Sequence, residues 1–259
     1  MNNLINYGQH FLVDSEVIKL FVSSLNLSPQ DFVLEIGPGK GALTSEIAKK
    51  AKVLSAVEID PQMHSFLDPL EKKYPNLTVR YENALNISFL NYDVICGALN
   101  YSIFEPLLIQ ILRQQFDAKR LVFLVSARFQ EDFVKEEGML YFLSSAFFQV
   151  EFSPIIENTS FSPSPKTKSV ITIFTPHLYK DIYHSLIKEL VQQEDKKLKN
   201  SLREALINIS EQSGEKLTKK QAKAKLEALL KNDFVDKTLW KLTRTELSIL
   251  INNLKLVSL

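Results

Sequence analysis

The sequence predicts an α/β protein: a doubly wound, mostly parallel sheet over residues 1–178, followed by a small all-helical domain over residues 179–259. Three observations carry this expectation. Short apolar runs alternate with amphipathic stretches through the first two-thirds of the chain, an order that implies right-handed crossovers and parallel strands with helices on both faces. A glycine cluster closes the first of those runs. After Pro176 the strand-like runs stop and helical spacing takes over.

Taken in order, residues 31–36 are a short apolar strand that ends in the glycines. Residues 43–50 read as a helix, 53–59 as the second strand and 61–73 as a helical stretch. Residues 77–81 are the third strand and 92–98 the fourth; 106–115 are helical, 121–126 strand-like, and 170–174 another strand. Beyond Pro176, Leu198, Leu202, Ala205 and Leu206 recur at i, i+4, i+7 and i+8, which makes one apolar stripe on a helix. Ser213 and Gly214 break that helix. Further helices are predicted over 218–230, 236–242 and 245–254, with the domain boundary near residue 178.

Composition narrows the classes. With 259 residues and 45% hydrophobic content, disordered and fibrous chains are excluded. No apolar run nears the roughly 18 residues of a membrane span, so no membrane partner is expected. The N-terminus lacks a basic segment followed by an apolar one, so no signal peptide is expected either. One cysteine, Cys96, excludes an internal disulfide and fits a reducing, cytoplasmic setting. With one Cys and four His, no metal site is expected. The net charge of +1 is uninformative, but its distribution is not: residues 1–179 carry 15 Lys and Arg against 19 Asp and Glu, and residues 180–259 carry 16 against 11. The basic part suits a polyanion, or is a lysine-rich solvated helical surface.

Residues 35–41 place glycines at 37, 39 and 41 between a strand and a helix, a cradle in which missing Cβ atoms let the backbone approach a ligand. The loop lacks the Lys-Ser/Thr ending of a phosphate-binding P-loop, since Lys40 precedes Gly41. Glu58 ends the next strand, where an acid can accept both hydroxyls of a ribose. A dinucleotide site is the rival reading. Pro38 and Gly41 favour S-adenosylmethionine, whose cationic sulfonium needs no phosphate-binding helix end.

The run Gly8-Gln-His-Phe-Leu12, residues 33–44 and residues 56–60 resemble the rRNA adenine N6,N6-dimethyltransferases of the small ribosomal subunit, which are class I methyltransferases. The resemblance continues through residues 83–85, Ala98-Leu99-Asn100-Tyr101 with Ile103 and Pro106, residues 161–169 and residues 196–206, and so covers nearly the whole chain. The erythromycin-resistance rRNA methyltransferases share the first motifs and are the nearest sibling reading.

The resemblance implies that Gln9, His10 and Leu12 line the cofactor pocket, with His10 standing where the family has Asn. A neutral imidazole can still donate or accept one hydrogen bond. It implies that Gly37 and Gly39 approach the methionine part of the cofactor and that Glu58 holds the ribose. The family's acid for the adenine amino group falls on Asn83, which keeps an acceptor oxygen and loses the charge. The family's catalytic tetrad reads Asn-Leu-Pro-Tyr, and here it is Ala98, Leu99, Asn100 and Tyr101. The Asn accepts from the target amine, so Ala98 at the reacting end is the main departure, and Asn100, two positions on, is expected to point elsewhere. Tyr101 and Phe161 are implied to sandwich the target adenine. Ser126, Arg128 and Asp132 stand where the family has Gln, Glu and Arg, and Met139 replaces a further Arg. Lys166, and Lys196, Lys199 and Arg203 on a helix face opposite the leucine stripe, are implied to meet rRNA phosphates; a solvated face is the other reading.

The function implied is methyl transfer from S-adenosylmethionine to N6 of adenine in small-subunit rRNA by a cytoplasmic monomer acting on that rRNA or on a pre-ribosomal small subunit. Ala98 keeps open a SAM-binding RNA or ribosome-assembly factor with weak or no activity, and a methyltransferase for another target.

Overall fold

The computed structural model describes residues 9–114, 116–177, 182–193, 195–227 and 232–255, apart from the Tyr101 side chain. In the first two-thirds the elements are β1 (Phe11–Leu12), α1 (Ser15–Ser24), β2 (Phe32–Ile36), α2 (Ala42–Ala48), β3 (Val53–Glu58), α3 (His64–Lys73), β4 (Leu77–Tyr81), β5 (Val94–Ala98), α4 (Tyr101–Arg113) and β6 (Arg120–Ser126). There follow α5 (Arg128–Val134), α6 (Gly138–Phe147), β7 (Phe148–Phe152), β8 (Phe161–Ser162) and β9 (Ser169–Pro176).

The main sheet runs β4-β3-β2-β5-β6-β9-β7. β2, β3, β4, β5 and β6 pair in parallel with their neighbours, and β9 joins β6 antiparallel. This is the mostly parallel, doubly wound sheet of a class I methyltransferase, Rossmann-like in plan. The order reverses beside β2, where ligands bind at the carboxyl ends of the strands. The central strands β2, β5 and β6 are buried on both faces, as their mostly apolar runs require, while the outer strands β4 and β7 are only partly buried. On β6, Val122 and Leu124 point into the core shared with Phe21 and Val22 of α1 and with Leu43 and Ile47 of α2. Phe123, on the other face by strand alternation, meets Phe104 of α4 and Phe174 of β9 at ring separations of 5.6 and 6.2 Å.

Two compact units divide the chain. One is Met1–Gln130 with Val150–Thr175; the other is Glu131–Gln149 with Pro176–Leu259. The boundary expected near residue 178 thus lies close to the start of the last segment, but residues 131–149 also belong to the helical unit. The reason is α6: Leu140, Phe142, Leu143 and Ala146 are buried, and the helix packs on α7 (Ile182–Gln192) and α10 (Arg244–Leu254). Between these lie α8 (Leu198–Gln212) and α9 (Lys219–Lys225). The predicted stripe holds, with Leu198, Leu202, Ala205 and Leu206 each no more than 1% exposed. Gly214, at φ +83°, follows the end of α8. The helix expected over 236–242 is not formed; a short 3-10 turn, Asp233–Asp236, ends where that stretch begins, and a second, Leu239–Lys241, lies within it. Residues 228–231, the end of another expected helix, lie outside the described residues.

Candidate active site

The glycine turn is built from the ends of β2 and β3. The Gly37 amide donates to the Val57 carbonyl at 2.9 Å, and the Gly39 amide donates to Glu58 Oε2 at 2.9 Å. Gly39 has φ +54°, and a Cβ on it would lie 3.2 Å from the Phe11 ring, so a side chain there would strain the backbone and crowd that ring. Gly41 has a different task. It caps α2 at φ +81°, and a Cβ on it would come within 2.2 Å of Leu70 Cδ1. The third glycine, taken from the sequence as a mark of the ligand, lets α3 pack.

Glu58 is 3% exposed and is held from both sides: Oε1 accepts the Asp60 amide at 2.9 Å and Oε2 accepts that of Gly39. Burial raises its pKa, and these backbone hydrogen bonds oppose the rise. Each oxygen keeps a lone pair, which is what a vicinal diol requires. Asp60 accepts Gln9 Nε2 at 3.1 Å and the Gln62 amide at 2.9 Å, so the N-terminal segment is tied to the same corner.

A cavity of about 960 Å³ opens over this corner. It brings together Gln9, His10, Gly37, Gly39, Glu58, Asn83, Ala98, Leu99, Phe161 and Lys166, ten of the residues singled out from the sequence. Leu12 is not among its lining; it is 7% exposed within the core cluster. Tyr101 opens α4, and its side chain lies outside the described residues, as does Gly8. Asn83 Oδ1 accepts the Leu85 amide at 2.9 Å, so one of its two lone pairs is engaged in a local cap. The volume and the anchored carboxylate fit a nucleoside-sized molecule.

Sequence reasoning assigned no role to Phe11, Asp60, Ile59 or Ile103. Ile59 and Ile103 are 44% and 38% exposed, and both line the cavity. An apolar side chain left in water at a strand or helix end beside a carboxylate was the available signal.

The tetrad positions are fixed by the end of β5. The Leu99 amide donates to the Leu124 carbonyl at 2.9 Å, and Leu99 Cδ2 lies 3.4 Å from where a Gly37 Cβ would sit. Asn100 caps α4: its Oδ1 accepts the Ile103 amide at 3.1 Å and the Ser102 hydroxyl at 2.8 Å. Both lone pairs of that oxygen are in use in this local cap.

A two-stranded strap joins the cofactor-side segment to the loop that carries Phe161. β1 and β8 pair antiparallel, with Leu12 opposite Phe161. The Ser160 hydroxyl donates to Asp14 Oδ2 at 2.9 Å. His10 Nδ1 lies 2.7 Å from the Pro163 carbonyl; since a carbonyl only accepts, the imidazole donates there.

Beneath the turn, Glu35 is 1% exposed, neither of its oxygens has a hydrogen-bond partner, and burial pushes its pKa up to about 8. The Thr44 hydroxyl opposes this shift without reaching hydrogen-bond geometry, and the Glu58 charge adds to it. Cys96, opposite Glu35 in the sheet, has its thiol pKa raised by burial first and by Glu35 second. Both groups are therefore neutral near pH 7. Among the described residues no three His, Cys, Asp or Glu side chains gather as a metal set, and no helix is long and apolar enough to cross a membrane.

The lysines predicted to face RNA are arranged otherwise than their spacing suggested. Lys196 precedes α8 and so does not share its face with Lys199 and Arg203. It pairs with Glu204, Lys199 pairs with Asp236 at 2.6 Å, and Arg203 donates to Asn200. Lys166 is exposed at the cavity.

Comparison with known proteins matches this architecture. The fold resembles a dimethyladenosine transferase from Plasmodium falciparum at a TM-score of 0.64, with 23% identity over 95% of this chain and 96% of that one. It also resembles the 23S rRNA methyltransferase ErmE at 0.61, with 21% identity over 95% and 99%. The ribosomal RNA small subunit methyltransferase A of Hydrogenobaculum sp. is 30% identical over 76% of this chain and 81% of its own length. A probable counterpart from Methanococcus aeolicus is 28% identical over 95% and 94%. The model of the ribosomal RNA adenine dimethylase family matches residues 1–242, and the chain belongs to that family.

Proposed function

We propose that this protein transfers methyl groups from S-adenosylmethionine to N6 of adenine in small-subunit rRNA. The observation that carries the reading is the corner of Glu58, Gly39 and Asp60 at the mouth of the cavity, in a chain of this family whose relatives are named small-subunit rRNA methyltransferases. Family and fold imply use of S-adenosylmethionine, which supplies an electrophilic methyl group on its sulfonium.

The chain's own residues do the rest. Glu58 accepts the ribose hydroxyls, Asn83 contacts the adenine ring of the cofactor, and Gln9, His10, Gly37 and Gly39 close around it. Phe161 and Tyr101 hold the flipped target base, and Ala98 and Leu99 form the floor beside its amine. Adenine N6 is a weak nucleophile because its lone pair is delocalised into the ring. After attack the nitrogen is a cationic aminium, so water takes the proton and no strong side-chain base is required.

Lys166, Lys196, Lys199 and Arg203 contact phosphates in this reading. Lys196 and Lys199 do so only by exchanging the carboxylates of Glu204 and Asp236 for them. The working form is a monomer that meets the pre-ribosomal small subunit in the cytoplasm.

The test is transfer of tritiated methyl from S-adenosylmethionine to undermethylated small subunits, followed by mapping of the labelled base. Label on adenine N6 supports the reading. Binding of the subunit without any transfer favours the second reading, a SAM-binding assembly factor, which Ala98 and the cap-engaged Asn100 favour.

A further inference from the structure

The helical unit carries four exposed lysines that form no ion pair among the described residues, although Glu215 and Glu227 stand nearby in sequence. α9 turns Ala222 inward, and Leu226 after it, at 0% and 1% exposure. Lys219, Lys220 and Lys223 stand exposed on the helix, and Lys216 is exposed just ahead of the Thr218 cap. Among the described residues none of the four makes an ion pair. Their placement works against the helix. Lys219 and Lys223 are four apart and Lys220 and Lys223 three apart, spacings at which like charges repel. Lys219 and Lys220 also occupy the first turn, where the helix dipole disfavours cations and where α9 has no acid.

The same unit shows the alternative. α10 has a Thr-Glu capping box at Thr243 and Glu246, and Lys237 pairs with Glu246 at 2.7 Å. In α9 the matching position is the neutral Gln221. Around α8, Lys196 is matched by Glu204, and Lys197 and Lys199 by Asp236. A charge arrangement that costs the fold stability and is corrected elsewhere in the same unit points to a partner that supplies the missing negative charge.

We propose that Lys216, Lys219, Lys220 and Lys223 form a phosphate-contacting surface for the rRNA substrate and contribute more to RNA affinity than the compensated lysines of α8. This rests on the rRNA reading given above. Charge complementarity selects the occupant. Lysine ammonium groups are compact point charges suited to phosphates without base readout. No large hydrophobic side chain between residues 216 and 227 is exposed, so the face offers nothing to insert into lipid.

The experiment measures binding of in vitro transcribed small-subunit rRNA between about 50 and 200 mM salt. It compares the natural chain, a variant with Lys216, Lys219, Lys220 and Lys223 all changed to Gln, and a variant with Lys196→Gln and Lys199→Gln. The four-fold variant should bind at least about tenfold more weakly at low salt, and its log–log salt slope should fall by up to about 3. The α8 variant should lose less than about 1 in slope. Helix content and thermal midpoint of the four-fold variant should stay the same or rise, because repulsion is removed. If it fails to fold, the paired variants Lys216→Gln with Lys219→Gln and Lys220→Gln with Lys223→Gln decide: a slope lowered by about 1–2 in each supports the surface, and an unchanged slope in both overturns it. An unchanged slope in the Gln variant overturns it, as does a larger loss in the α8 variant. So does retention on phosphatidylserine vesicles or polyglutamate that depends on these lysines while RNA binding does not. A natural chain that binds no RNA at any salt overturns the rRNA reading, and this proposal with it.

Discussion

In the proposed reaction, Ala98 is the residue whose chemistry decides most. The family's Asn at this position aims an acceptor at the reacting amine, an interaction that matters in the transition state, so its absence should lower turnover by about 10²–10³. The structure removes the obvious substitute, because Asn100 Oδ1 is spent on the Ile103 amide and the Ser102 hydroxyl. Ala98→Asn is therefore expected to raise methyl transfer at least about tenfold with little change in SAM affinity, read from single-turnover rates and calorimetry. Equal rates in the two forms would show that the amide is dispensable here. Glu35 makes a second prediction at this scale. Its folded pKa of about 8 lies above the ordinary 4.5, so the folded state holds a proton that the unfolded chain has released. Stability is full below pH 4.5, declines as pH rises from there, and this share of it is lost above about 8. The slope approaches about 1.4 kcal/mol per pH unit at most. Glu58, also raised by burial, acts in the same direction. Urea unfolding of Glu35→Gln at pH 5 and pH 8.5 should show a smaller decline than the natural chain; an equal decline would sink the assignment. The residues of this scale divide by what a sequence can express. Glu58 was readable because a strand end after a glycine turn leaves few roles for an acid. The double occupancy of Asn100 was not, because a capping bond depends on where the helix begins, and that boundary lay five residues earlier than the periodicity placed it.

At the scale of elements, the cap of α4 links stability to the site. Asn100 at φ −71°, ψ 159° has the extended backbone of an N-cap. Asn100→Ala should destabilise by about 1 kcal/mol in urea unfolding, within the usual range of about 0.5–2 for a lost cap. Asn100→Ser, which can still cap, should keep both stability and methyl-transfer rate. A collapse of the rate in Asn100→Ser with stability intact would mean that the amide itself touches the substrate. The strands β2, β5 and β6 were legible because both faces are buried and the sequence writes them as mostly apolar runs. The same property hid α6: Gly138–Phe147 is apolar on nearly every side, so it has no 3.6-residue period to detect. β1 and β8 were invisible for the opposite reason. Two-residue strands carry no period at all, and only the pairing of Leu12 with Phe161 reveals that the Gln9–His10 segment and the loop that carries Phe161 form one strap. The face of α8 was misread by a shorter margin, since the helix starts at Leu198 and leaves Lys196 outside it.

For the whole molecule, the cavity with Glu58 lies in the sheet unit, and Lys216, Lys219, Lys220 and Lys223 lie in the helical one. If the cavity holds S-adenosylmethionine in the folded state alone, binding must appear as stability. At a ligand concentration about 100 times Kd, the linkage amounts to about 2.7 kcal/mol. The cavity and its carboxylate are formed by β2, β3 and the strap together, so no unfolded segment offers the same site. Glu58→Ala removes two charge-assisted acceptors from the ribose and should weaken binding by about 1–3 kcal/mol, roughly five- to 150-fold. Thermal unfolding of the natural chain with S-adenosylmethionine, or with its demethylated product, should therefore move the midpoint upward. The same ligand concentration should give Glu58→Ala a much smaller increment, whatever the variant's own starting midpoint. The comparison of increments matters more than the midpoints, because Glu58 is buried and anchors Gly39 and Asp60, so its removal changes the fold's stability as well as its affinity. An increment in Glu58→Ala equal to that of the natural chain would place the ribose elsewhere in the cavity, and no increment in either protein at millimolar ligand would remove S-adenosylmethionine from the site.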